Sequence, residues 1–360
     1  MTCLFDVKYN DSMVTGYLFD SLYLQHVQHG HVEGPERLEA INGALDETGM
    51  RDRLVALTAE PISIERLARV HHTRHIERVQ SVAEHGGGGL MGMGDETYVA
   101  PRSYDAALLA AGAVVTGVDA VLRGELKNAF ALVRPPGHHA FADHGEGFCL
   151  FNNIAIAAAT ACAEFEIDRV MIVDFDVHHG NGTNAIFYHD PNVLYCSTHQ
   201  WGIYPGTGNW DELGEGAGVG YSVNVPLLPG WGDEAMRWIF NDLLVPIARR
   251  FQPQLILVSA GYDPSWTDRL GSMLMTTQGF FNLTHTLVQL SDELCGGKLV
   301  MTLEGGYGLN GLAYGVIASF AAMLGDESVA DPVGPSRYAE KPFDEKYLDQ
   351  LRALHGLPSK

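Results

Sequence analysis

The chain has 360 residues, 46% hydrophobic and 19% charged, a balance that predicts a packed globular core rather than disorder. Lysine and arginine total 23 against 44 aspartates and glutamates, and the net charge of −21 excludes a surface built to neutralise nucleic-acid phosphates. The five cysteines, Cys3, Cys149, Cys162, Cys196 and Cys295, form no C-x-x-C pair, so no disulfide framework or cysteine zinc knuckle is predicted and a reducing compartment is expected.

The N-terminus, Met1-Thr2-Cys3-Leu4-Phe5-Asp6, has no basic start and no apolar signal core, and no stretch is read as a membrane span; a cytoplasmic protein is expected. His71 and His75 have metal-like spacing, but they run into Ile76-Glu77-Arg78-Val79, an ordinary amphipathic helix. Gly86–Gly89 reads as a loop without the Lys-Ser/Thr of a phosphate-binding loop. Helices are predicted over Ser103–Leu122, Asn152–Glu164, Asp233–Arg250 and Thr277–Leu294, the third kinked or ended by Pro246. Short runs rich in β-branched residues predict strands at Ala129–Val133, Arg169–Val173, Val193–Ser197, Leu255–Ser259 and Lys298–Leu303. Alternating strands and helices imply βαβ units around a parallel sheet, and so an α/β protein whose chemistry lies just after the strands. The polar stretch from about residue 325 is expected to be a surface tail of a single domain spanning 1–360.

Four of those loops carry chemistry. The second strand runs into Asp174-Phe175-Asp176-Val177-His178, and strand alternation would put Asp174, Asp176 and His178 on one face. Such a face is costly to bury unless a metal pairs it. The fourth strand leads to Asp263. Asp176, His178 and Asp263 would supply three ligands and leave a position open, as in a catalytic zinc site. The first strand leads to His138 and His139, and imidazole can both take and give a proton near neutral pH; Asp174 and Asn181 are available to orient the pair. The fifth strand ends at Glu304-Gly305-Gly306-Tyr307, whose phenol could donate to an oxygen that becomes negative. Phe148 and Tyr204, each on a Gly-rich loop, could wall a slot for an extended alkyl chain.

Together, His31–Leu38, Arg134–Ala140, Gly145–Asn153, Asp174–Thr183, Tyr204–Gly208, Ala260–Asp263 and Leu303–Tyr307 resemble the zinc-dependent histone deacetylase family, in particular its class II-like bacterial members, the acetylpolyamine amidohydrolase group. The resemblance covers roughly residues 18 to 324 and implies the arginase–deacetylase fold, an open parallel sheet of about eight strands flanked by helices. It implies an enzyme that removes acetyl or other short acyl groups from lysine side chains or small acylated amines by metal-activated water. The metal ligands would be Asp176, His178 and Asp263, holding one Zn2+. His138, His139, Tyr307, Asp174 and Asn181 would be catalytic, with His139 the main proton shuttle. Gly147, Phe148, Tyr204 and Leu270 would face substrate, and Arg37 would line an internal channel for acetate. A K+ or Na+ site would use Asp174, Asp176, His178, Ser197 and Thr198. No nucleic-acid or membrane partner is implied, and a homo-oligomer is left open.

The sequence departs from the family pattern at Val32, Gly34, Tyr204 and Arg269. Arg269 brings a charge to the expected rim, and Leu270 stands where polyamine-selective relatives can carry an acid. An esterase or another acyl-amide hydrolase of the same fold remains an alternative. A two-manganese guanidine hydrolase is disfavoured because Gly180 stands where its second metal needs an aspartate. A non-catalytic acyl-lysine binder is disfavoured because no site residue is missing.

Overall fold

The computed structural model describes residues 14–88 and 96–358. Cys3, the other N-terminal residues read above and Gly89 lie outside the described residues. The first half forms β1 (Thr15–Leu18), α1 (Glu36–Glu47), β2 (Val55–Leu57), α2 (Ile64–Leu67), α3 (Thr73–Glu84), α4 (Ser103–Leu122), β3 (Asn128–Ala131), α5 (Asn153–Glu164) and β4 (Val170–Asp174). The second half forms α6 (Asn181–Phe187), β5 (Val193–Gln200), β6 (Ser222–Leu227), α7 (Asp233–Ile239), α8 (Val245–Phe251), β7 (Leu255–Ala260), α9 (Thr277–Cys295), β8 (Leu299–Leu303), α10 (Leu309–Met323) and α11 (Glu345–Leu354).

The strands make one parallel eight-stranded sheet in the order β2-β1-β3-β8-β7-β4-β5-β6. Every residue of β3, β4, β7 and β8 is buried, so both sheet faces are covered and these strands read as continuous apolar runs instead of alternating ones. Helix α4 packs on α5, β3 and β8, while α10 packs on α9 and α1. The chain steps from β3 to β4 and leaves between them the gap that β7 and β8 later fill. That gap is the switch point of the sheet, and it brings together the carboxyl ends of β3, β8, β7 and β4, each of which carries one predicted site loop.

The five strands read from residues are β3, β4, β5, β7 and β8. The outer strands β1, β2 and β6 were not read: β1 and β2 are only four and three residues long, and β6 contains Pro226. Two further expectations need correction. Helix α4 is long and apolar enough to span a membrane by length and composition, although no such stretch was read there; 72% of its window is buried inside the protein, which accounts for its apolarity. At Pro246 the helix does not end, because helical structure continues to Phe251. A π-turn over Phe240–Leu244 joins α7 to α8, with the Val245 N–H bonded to the Phe240 carbonyl. Pro246 has no N–H to offer the Asp242 carbonyl; Arg352 of α11 donates to that carbonyl in its place. The C-terminal stretch is thus docked, with Leu348 and Leu351 buried.

Candidate active site

β4 ends at Asp174, so Asp176 and His178 do not continue its face as strand alternation predicted. The Asp174 carboxylate accepts from the Asp176 N–H at 3.2 Å, a local turn that competes with the extended strand and ends it. Beyond this turn the backbone is held by its neighbours, with Phe175 N–H donating to the Ser259 carbonyl and Gln200 N–H to the Val177 carbonyl. Asp176 and His178 therefore converge with Asp263 from the end of β7, while Asp174 faces elsewhere. Single ligand atoms of Asp176, His178 and Asp263 lie within 4.8 Å of one another. His178 Nδ1 lies 3.0 Å from Asp176 Oδ1 and 3.3 Å from Asp263 Oδ2.

The second oxygens are anchored: Asp176 Oδ2 accepts from Gly305 N–H at 2.8 Å and Asp263 Oδ1 from Val177 N–H at 2.8 Å. Asp263 Oδ2 is buried without a hydrogen-bond partner among the described residues. Burial and the Asp176 charge push the Asp263 carboxyl up to about 7. Burial alone would depress His178, but the two carboxylates outweigh it and hold the imidazole up at about 10. The two buried carboxylates repel one another, and together they carry more negative charge than one imidazolium balances; a bound cation would relieve that excess. An Asp–His–Asp set with one orphaned oxygen fits a divalent ion, by donor chemistry and by spacing. Gly305 makes room for the cluster: a Cβ there would stand 2.2 Å from Asp263 Oδ2 and 2.5 Å from Asp176 Oδ2.

The tandem histidines arrive on the loop after β3, and that loop is clamped by Glu304. Its carboxylate accepts from the N–H groups of Gly137 at 2.7 Å and His138 at 3.2 Å and from Ser259 Oγ at 2.8 Å. His138 Nδ1 pairs with Asp174 Oδ2 at 3.0 Å, which also accepts from the Tyr195 hydroxyl at 3.0 Å. Burial works against charge on His138, yet Asp174 and Asp176 prevail and raise it to about 10. His139 Nδ1 pairs with the neutral Asn181 Oδ1 at 2.8 Å. Burial, and then the neighbouring His138 and His178, hold His139 well below the ordinary histidine range. The site therefore contains one imidazole favouring the charged form and one favouring the neutral form, their ring centroids 4.0 Å apart.

A pocket of about 330 Å³ opens onto these groups, lined by His138, His139, His178, Gly147, Phe148, Tyr204, Leu270 and Tyr307 among others. The predicted substrate-facing residues thus meet there, with the exception of Arg37. Arg37 lies behind the Gly-Gly-Tyr turn, donating from Nε to the Gly306 carbonyl at 2.7 Å and from Nη2 to the Glu304 carbonyl at 2.5 Å, its guanidinium 5.0 Å from the centroid of the Tyr307 ring. Gly147 adopts φ +54°, and a Cβ on it would fall 2.3 Å from the His139 ring. Of the expected monovalent-cation residues, Asp174 and Ser197 are cross-strand partners of β4 and β5, Asp176 and His178 follow in the loop, and the Thr198 hydroxyl is buried without a hydrogen-bond partner among the described residues.

Three side chains that the sequence reading passed over shape the site. Glu146 accepts from Asn181 Nδ2 at 2.6 Å and from the Tyr204 hydroxyl at 3.0 Å. Glu304 clamps the histidine loop, as above. Glu33 is buried in a network with Arg134, accepting from its Nη2 at 2.8 Å and from Arg37 Nη1 at 3.1 Å. All three stand inside the family-like motifs: Glu33 and Glu146 sit beside glycines in loops, and Glu304 directly follows β8. His71 and His75, rejected as ligands, are structural: His71 Nε2 accepts from Asn152 N–H and His75 Nε2 bonds the Leu150 carbonyl, both at 2.8 Å, steadying the loop that carries Phe148.

Comparison with known proteins agrees with this geometry. Residues 31–323 match the family described as Histone deacetylase domain. A histone deacetylase-like amidohydrolase from Pseudomonas aeruginosa is 38% identical over 336 residues, covering 91% of this chain and 88% of that protein. A probable deacetylase from Archaeoglobus fulgidus is 40% identical over 317 residues, covering 87% of each chain. Among solved structures, the HDA15 HD domain superposes with a TM-score of 0.85 at 36% identity, over 95% of this chain and 94% of that one.

Proposed function

Because this chain belongs to the histone deacetylase family, we propose that it is a zinc-dependent amidohydrolase that removes acetyl or another short acyl group from lysine side chains or small acylated amines. The observation that carries this reading is the buried Asp176–His178–Asp263 cluster at the floor of a pocket also lined by His139 and Tyr307. Asp176, His178 and Asp263 would hold the ion. When bound, that ion supplies Lewis-acid polarisation of the acyl carbonyl and lowers the pKa of water.

The remaining chemistry belongs to the chain. Asn181 Oδ1 accepts a hydrogen bond from His139 Nδ1–H, which leaves Nε2 with its lone pair; His139, held neutral, takes a proton from the attacking water and returns it to the departing amine nitrogen. His138, paired with Asp174, keeps a positive charge beside the developing oxyanion. The Tyr307 hydroxyl donates to that oxygen, and burial keeps the phenol protonated for the task. Phe148 and Tyr204 wall a slot for a straight alkyl stem, burying methylenes worth about 0.8 kcal/mol each. Leu270 closes the wall without a charge. Arg37 would line an exit for the short acid. K+ or Na+ near Asp174, Asp176, His178, Ser197 and Thr198 would brace the loop after β4. We place the protein in the cytoplasm.

Metal analysis with steady-state kinetics tests the reading. One divalent ion per chain is expected; chelation should abolish hydrolysis of an acetyl-lysine peptide, and zinc or cobalt should restore it. Full turnover by rigorously metal-free protein refutes it.

A further inference from the structure

A second groove, about 580 Å³, adjoins the reaction pocket and shares Leu270 and Tyr307 with it as a common wall. Two guanidinium groups line this groove, Arg269 and Arg337. Both residues are exposed, and among the described residues neither forms an ion pair, whereas Arg53, Arg66 and Arg249 are matched to Asp326, Glu164 and Glu293.

The segments that carry these two residues are tied to the chemistry. The Asp268 carboxylate accepts from the backbone N–H groups of Arg269 and Leu270 through Oδ1, and from those of Tyr307 and Gly308 through Oδ2, at 2.6–2.9 Å. One side chain thus staples the backbone at Arg269 to the turn that carries Tyr307. The Arg337 guanidinium lies 5.8 Å from the centroid of the Trp266 ring, and Trp266 is itself tied by Nε1–H to the Gly334 carbonyl at 3.2 Å. Guanidinium groups recognise planar oxyanions through paired donors, and a groove that offers two beside a reaction pocket suits a carboxylate on the same molecule as the scissile amide. At physiological salt the repulsion from the remote acidic surface is screened beyond about 8 Å, so the local arginines decide.

We infer that this groove is a recognition subsite for a carboxylate carried by the acylated amine substrate, supplied by an acidic side chain beside an acyl-lysine or by the substrate's own α-carboxylate. The inference rests on the amidohydrolase reading. It also sets this protein apart from one tuned to acylated polyamines, which carry only positive charge.

The test uses metal-loaded full-length protein and one capped, neutral acetyl-lysine peptide. Further versions carry Asp or Glu next to the acetyl-lysine, a free C-terminal carboxylate, or Lys in the acidic position. The readout is the ratio of kcat/KM for each version to that for the neutral peptide, taken within each protein variant so that a general loss of folding cancels. Wild type should favour the acidic or free-carboxylate versions by roughly 3- to 30-fold, the scale of one or two partly exposed ion pairs. The ratio should fall to about one in Arg269→Ala/Arg337→Ala and in 0.5 M NaCl, and Arg269→Lys/Arg337→Lys should keep part of it. Comparing the side-chain and terminal versions identifies which carboxylate is read. Turnover of the neutral peptide with a ratio near one, or a preference that survives the double alanine substitution, overturns the subsite alone. A metal-loaded protein that turns over none of the peptides overturns the amidohydrolase reading and the subsite with it.

Discussion

Replacing Glu146 with methionine keeps the side-chain volume but removes the acceptor shared by Asn181 Nδ2 and the Tyr204 hydroxyl. A carboxylate can only accept, so Glu146 requires the amide nitrogen of Asn181 to face it and turns Oδ1 toward His139. An amide rotated by 180° would donate to His139 Nδ1 and move the imidazole proton to Nε2, the nitrogen needed as base. A hydrogen bond to a charged group contributes about 1.5–3 kcal/mol. Two features reduce the loss. Glu146 is 19% exposed, so water can replace part of the interaction, and Gly182 N–H still donates to Asn181 Oδ1 at 3.1 Å. The expected cost is about 1–1.5 kcal/mol in kcat, or roughly 5- to 15-fold. Because Tyr204 loses its anchor, KM should rise by roughly 2- to 3-fold. Glu146→Gln retains an acceptor for both partners and should recover most of the rate. Steady-state kinetics on one acetyl-lysine peptide, with bound metal measured in each variant, decides the matter. A methionine variant within twofold of wild type in kcat, or a glutamine variant as impaired as methionine, refutes the reasoning.

Three other perturbations are predicted. Tyr307→Phe should retain metal and KM but lose on the order of 10²–10³ in kcat, about 2.7–4 kcal/mol, the scale of one oxyanion donor; an unchanged kcat removes the hydroxyl from the chemistry. Gly147→Ala combines a positive φ with a Cβ 2.3 Å from the His139 ring, so activity should fall sharply while the far-ultraviolet circular dichroism is kept; full activity would show that the loop yields freely. Away from the site, burial raises Asp233 to about 6 despite the bonds it accepts from Thr276. Its contribution to stability is fully present below the unfolded value of 3.8 and is lost as pH rises through about 6. Asp233→Asn should therefore gain stability relative to wild type between pH 4 and pH 7.5, by up to about 3 kcal/mol. Chemical denaturation at both pH values measures this, and a pH-independent difference between the two proteins contradicts it.

Local chemistry in the chain was enough to determine the α/β class, the central strands and the residue types of the site. Strands buried on both faces must be continuous apolar runs, and those of β4 and β7 stand out between polar loops. Asp176, His178 and Asp263 were legible because acids and imidazole directly after buried strands have few other uses. The sequence was a poorer guide where the cause lies in distant contacts. Short edge strands such as β2 exist because a neighbour offers them a ladder, and their own three residues say little. The face shared by Asp174, Asp176 and His178 was misjudged because a side-chain turn at Asp174 ends β4 early. The donor that meets the Asp242 carbonyl in place of the N–H that Pro246 lacks is Arg352, more than a hundred residues away. Glu146 and Glu304 look like loop acids until folding sets one against Asn181 and the other beneath the histidine loop. Residue type and spacing specify which groups can do chemistry, but hydrogen-bond partners come from the parallel crossovers of the sheet, and only the tertiary structure decides which carboxylate joins the Asp–His–Asp cluster, which pairs with a histidine and which holds the backbone.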